Sequence, residues 1–156
     1  MKSFIILLAL LTVFGCSTTS TFKDPLSIEE RANLSVAEIK VEYRTWELEN
    51  IKFTQNLIKA LEEGLLSKGT FSETGSDKIF VEINSLEMVT TQDTLLVGVF
   101  AGSNRVLANV KILRDDKIIS EFSVDGDYNF GGYTVFYDLD EAVSKRLAEE
   151  ILTNIN

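Results

Sequence analysis

Hydrophobic and polar positions alternate along much of this chain, and the period of the alternation changes from stretch to stretch. Ala37, Ile39, Val41 and Tyr43 are interleaved with Glu38, Lys40, Glu42 and Arg44. A period of two gives one buried and one wet face, which predicts a first strand. Over residues 51–68 the period lengthens. Phe53, Leu57, Ile58, Leu61 and Leu65 recur at three and four residues, with Lys59, Glu62, Glu63 and Lys68 between them. That stripe predicts a helix lying on a sheet, with Asn50 as N-cap and Gly69 as the left-handed residue past its end.

Residues 78–89 return to a period of two. Ile79, Val81 and Ile83 share one parity, whereas Leu86 and Met88 take the other. A bulge near Asn84-Ser85, or cover on both faces, reconciles the two halves. Val106, Ala108, Val110 and Ile112 then predict a third strand. Arg114-Asp115-Asp116-Lys117 predicts a tight turn, and Ile118, Ser120, Phe122 and Val124 a fourth strand, so the pair forms a hairpin. Asp138 with Glu141 reads as a capping box ahead of a last helix, whose stripe is Leu139, Val143, Leu147, Ile151 and Ile155. The resulting order is β-α-β-β-β-α. It predicts an α+β fold, a two-layer sandwich in which a four-stranded, mostly antiparallel sheet carries two helices on one face, as a single domain over residues 36–156.

The first 35 residues follow none of these patterns. Lys2 precedes an apolar run, Phe4 to Phe14, broken only by Thr12. About 11 residues at 1.5 Å each fall short of a hydrocarbon core of roughly 30 Å, so the run reads as the core of an export signal over residues 1–15. Val13-Phe14-Gly15 ahead of Cys16 resembles the lipobox of bacterial lipoproteins. The resemblance implies cleavage before Cys16, diacylation of its thiol and a further acyl chain, such as palmitate, on the new amino group. Ser17 in place of aspartate implies sorting to the outer membrane. Ser17-Thr18-Thr19-Ser20-Thr21 is polar, and Asp24-Pro25 breaks any early helix. Ser27 begins a stretch that allows one short capped turn. Residues 16–35 are therefore expected to be a lipidated N-terminus and spacer that lets the domain stand off the bilayer.

Composition removes more functions than it suggests. The chain has 15 basic and 24 acidic residues, and loss of Lys2 with the signal leaves 14 against 24, a net charge of −10. Such a balance disfavours nucleic acid and anionic phosphate surfaces. There is no histidine, which takes away the commonest general base and the commonest zinc ligand. Cys16 is the one cysteine, and once acylated it offers no thiol for disulfide, redox or metal chemistry. No cofactor, no metal and no enzymatic activity are expected.

Two stretches stand apart. Residues 90–104 hold Leu95, Leu96, Val97, Val99 and Phe100 among two glycines, Gly98 and Gly102. One reading extends a strand or buried loop through Leu95 to Ala101 with a turn at Gly102-Ser103-Asn104. The other is a semi-exposed apolar loop touching a partner or the membrane surface. A nucleotide-binding glycine loop is a poor third reading, since neither G-x-G-x-x-G nor a lysine-serine ending is present. Residues 125–137 hold Tyr128, Phe130, Tyr133, Phe136 and Tyr137. Asp125, Asp127 and Asn129 mimic the start of a calcium loop, but Phe130 and Phe136 stand where glycine and glutamate are required. The glycines and aspartates there read as a turn, with aromatics covering the end of the sheet or forming a recognition patch. Candidate partner contacts are accordingly Leu95, Val97, Phe100, Tyr128, Phe130 and Tyr133.

This element order behind a lipobox cysteine resembles small Gram-negative outer-membrane lipoproteins of the YajG and LptE-like type, most of all their uncharacterised members. The resemblance implies a lipid-anchored domain on the periplasmic side of the outer membrane. Two functions follow. One is a non-enzymatic accessory that binds a protein partner in assembly of the envelope. The other is a lipid- or glycolipid-binding transport accessory of the LptE kind, against which the acidic charge argues. An enzyme would have to rest on Asp125, Asp127, Asp138 and Asp140, two of which turn and cap geometry already explain.

Overall fold

The computed structural model describes residues 17–89, 103–129 and 138–156. Its strands are β1 (Ser17–Asp24), β2 (Val36–Tyr43), β3 (Asp77–Glu87), β4 (Asn104–Arg114) and β5 (Lys117–Tyr128). Its helices are α1 (Ile28–Ala32), α2 (Ile51–Ser67) and α3 (Leu139–Ile155), with a short 3-10 turn at Trp46–Leu48. The class is α+β, as the alternation predicts, but the sheet has five strands rather than four, in the order β1-β5-β4-β3-β2. β2 and β3 are parallel and joined through α2, while β3, β4, β5 and β1 pair antiparallel in turn.

The extra strand comes from the expected spacer. Ser17 to Phe22 pair residue for residue with Asp127 to Phe122, and the Phe22 and Phe122 rings meet at 5.4 Å. Ser20 receives a hydrogen bond from Asn154 Nδ2 at 2.7 Å, and Ser120 Oγ donates to the Asp24 carbonyl at 2.8 Å. After Pro25, Ser27 opens α1 with a complete capping box. Its hydroxyl accepts from Glu30 N at 3.2 Å, and its own N–H donates to the Glu30 carboxylate at 2.7 Å.

For the two long helices and for most of β3, β4 and β5 the pattern places the core correctly. Phe53, Leu57, Leu61 and Leu65 of α2 are fully buried against Val143, Leu147 and Ile151 of α3 and against Ile79, Val81, Ile83, Val106, Val110 and Ile112 of the sheet. Asn50 caps α2 by accepting from Phe53 N at 3.0 Å, and Gly69 ends it at φ 70°. Asp138 caps α3. The register of β3 shifts between Ile83 and Ser85, so Asn84 is the bulge that reconciles the two parities. At the β4–β5 turn both Asp115 and Asp116 have positive φ, 50° and 61°, the twist-matched form for a two-residue hairpin. Asp125, Gly126 and Asp127 do not form a turn. They continue β5, and Gly126 lacks the Cβ that would collide with the Tyr128 ring lying over it.

Candidate functional site

The sequence-predicted contacts fare unequally. Cys16, Leu95, Val97, Phe100, Phe130 and Tyr133 lie outside the described residues. Tyr128 is a core residue, 1% exposed, because its ring folds back over the space left by Gly126. It cannot serve as an exposed contact. The strand register nevertheless gathers the attachment points. Ser17 stands beside Asp127, Tyr128 beside Asn104, and Glu87 beside Arg105. One end of the sheet, here the upper end, therefore carries the residue next to Cys16, the exit of β3, the entry of β4 and the exit of β5.

A buried asparagine ties that end together. Asn104, 1% exposed, accepts from Val89 N at 3.0 Å and donates to the Tyr128 carbonyl at 3.1 Å. The two helix N-termini meet at the same end. Asn50 Nδ2 donates to Asp140 at 2.7 Å, Lys52 pairs with Asp138 at 2.5 Å, and the Tyr43 hydroxyl donates to the Asn50 carbonyl at 3.0 Å.

Three of the four carboxylates on which an enzyme could rest, Asp125, Asp138 and Asp140, have structural partners. Asp125 receives two hydrogen bonds from Arg105, at 3.1 and 2.8 Å. These bonds hold its carboxyl below the ordinary range. The Lys52 bond lowers Asp138 in the same way. Among the described residues no group of three or more His, Cys, Asp or Glu is placed to hold a metal ion.

The face of the sheet turned away from α2 and α3 holds a feature that the alternation missed. Phe80, Leu113 and Ile118 floor a shallow groove of about 420 Å³, rimmed by Lys40, Lys78, Lys111 and Glu38. Lys40 stands over the Phe80 ring at 5.9 Å, and Lys78 reaches both Glu38, at 3.5 Å, and Asp116, at 3.4 Å. Ile118 was expected on the buried parity with Phe122 and Val124. The register shifts between Ile112 and Leu113, leaving Ile119 as the extra residue of β5 and pairing Ile118 with Leu113. Ile118 is 48% exposed as a result. Phe80 and Leu113, apolar residues on the polar parity, were the visible signal.

A buried ion pair anchors the lower end beside this groove. Asp77, 0% exposed, receives bonds from Arg114 Nε at 2.7 Å and Nη2 at 2.8 Å, from Ser35 N at 2.9 Å and from Ser76 Oγ at 3.1 Å. Burial pushes the Asp77 carboxyl up, and these donors with the Arg114 charge outweigh it, so the group sits below its ordinary value.

No protein-family model matches the chain, and no curated protein matches it. Solved structures do. The PelC dodecamer from Paraburkholderia phytofirmans aligns with a TM-score of 0.57 and 12% identity, covering 89% of this chain and 97% of that one. A point variant of the same dodecamer gives 0.55 and 14%, covering 90% and 97%. A minor lipoprotein from Acinetobacter baumannii gives 0.38 and 14%, covering 76% and 91%. At these identities the likeness to PelC is one of fold, and the third is too distant in shape to add to it. No helix among the described residues is long and apolar enough to cross a membrane.

Proposed function

We propose that this chain is a non-catalytic lipoprotein of the bacterial envelope, held in the outer membrane by acyl chains on Cys16, and that it binds a protein partner in envelope assembly. The observation that carries the partner reading is the uncovered sheet face. Phe80, Leu113 and Ile118 form an apolar floor that no layer among the described residues covers, and lysines on its rim suit an acidic, apolar segment. The anchor rests on the lipobox motif at Val13 to Cys16. PelC, whose fold this chain shares, is a dodecamer, which makes further copies of this chain one partner to look for.

The test is cross-linking of the lipidated protein in intact envelopes, followed by mass spectrometry, with Cys16→Ala as the companion variant. The wild type should incorporate labelled palmitate and recover one protein, or its own copies, in stoichiometric amount through the groove lysines. Cys16→Ala should lose the label. A variant still labelled would overturn the anchor. Recovery of lipid with no protein would replace the partner reading by the LptE-like transport one.

A further inference from the structure

Ser17 is already strand, and this changes how an acylated Cys16 holds the domain. The expected spacer of some twenty residues does not separate the lipid from the fold. β1 starts at Ser17 and is paired along its length with β5, so one residue of chain, at most about 3.6 Å, joins the sheet to the cysteine. Resting on the lipid anchor proposed above, this brings the upper end of the sheet to the membrane surface.

A second observation lies at the opposite corner of that end. β2, at the far edge of the sheet, runs parallel to β3 and also finishes upward, with Tyr43 beside Ile83. The chain runs on to Trp46 and enters α2 at Ile51. Trp46 is 80% exposed and Ile51 is 66% exposed. Both are costly to leave in water, and tryptophan in particular favours the membrane–water interface, where its ring is half apolar and its N–H stays wet. β1 and β2 are four strand spacings apart, roughly 19 Å. The anchor and Trp46 therefore mark two separated points on one end of the molecule.

The charges there decide which lipid suits. Beyond the Lys52–Asp138 and Arg105–Asp125 pairs, this end carries Glu47, Glu49, Glu87, Asp127, Asp140 and Glu141 against Arg44, so it is net acidic and suits a zwitterionic headgroup layer rather than an anionic one. Ile28, Leu66 and Ile118 are also exposed, but they lie on three separate elements toward the other end. Leu113, beside Ile118, is nine residues down β4 from Asn104, about 30 Å at the strand rise.

We propose that the upper end of the sheet is seated on the bilayer, with the acyl chains of Cys16 at the β1 corner and Trp46 and Ile51 entering the interface at the β2 corner. Two points fix the orientation, where a single flexible tether would leave it free. The groove of Phe80, Leu113 and Ile118 is then held away from the lipid and open to partners.

Trp46 is the sole tryptophan of the chain, so its fluorescence reports on this corner alone. The lipidated protein is reconstituted in phosphatidylcholine vesicles, with and without lipids brominated high on the acyl chains. Seating predicts co-flotation, a blue-shifted emission compared with the soluble Cys16→Ser form, and quenching by the bromolipids. The paired variant Trp46→Phe/Leu66→Trp should float equally and keep a water-like, unquenched emission. Flotation with a water-like Trp46 overturns the seating and leaves the anchor standing. A blue shift without bromolipid quenching also overturns it, since protein would then cover Trp46. Failure to float overturns the anchor, and the seating with it.

Discussion

Asp77 shows how much a single side chain decides at the lower end of the fold. Its carboxylate has no exposure and holds together three segments: the start of β2 through Ser35, the start of β3, and the end of β4 through Arg114. Removing the charge from one side of a buried pair leaves the other uncompensated, so Asp77→Asn should destabilise the domain by about 3 kcal/mol in denaturant unfolding. The pH dependence has a definite sign. Because the folded carboxyl lies below its unfolded value of 3.8, its contribution is fully present above that value and lost as pH falls through the lower folded one. Wild-type stability should therefore drop on acidification below about pH 4 more steeply than that of Asp77→Asn. Equal acid sensitivity of the two proteins would refute the assignment. Nothing in Ser76-Asp77-Lys78 marks this residue in the sequence, where it reads as one more polar position ahead of a strand. Its burial depends on Arg114, 37 residues away.

At the scale of elements, α2, α3 and the β3–β4–β5 meander were legible because each must bury a face, and burial imprints a period on the residues. β1 was illegible for the converse reason. An edge strand whose outer face is wet needs only backbone pairing and tolerates a Ser/Thr run. Phe22 is its single large apolar residue, and it is still 40% exposed. The Ile119 bulge was hidden too, since a one-residue shift moves Ile118 to the opposite face without changing composition. The strand nevertheless protects its neighbour. Deleting residues 17–24 from the soluble form should uncover the edge of β5 and the Phe122 ring. The ring contact alone accounts for about 1 kcal/mol, and an unpaired edge invites intermolecular pairing. The truncated domain is expected to melt lower and to associate as its concentration rises, as read by light scattering. A monomer with unchanged melting would show that β1 is dispensable to the sheet.

For the whole molecule, one face of the sheet carries the core and the other is the proposed binding face, so substitutions on each should separate folding from the proposed binding. Val81 faces the helices with 0% exposure, while its neighbour Phe80 lies on the open face at the floor of the groove, under Lys40. Val81→Asp would place an unpaired charge in the core and should prevent folding. Phe80→Glu removes the same kind of apolar surface from a position that water already reaches. Its carboxylate lies among Lys40, Lys78 and Lys111, so the melting curve should move by less than about 1 kcal/mol. The partner interaction should respond differently. An apolar anchor at the centre of a contact typically contributes about 2 kcal/mol or more, and the new negative charge would repel an acidic segment. Cross-linking yield in envelopes is therefore expected to fall at least about tenfold with the fold intact. A Phe80→Glu protein that folds and cross-links as well as the wild type would move the partner site off this face.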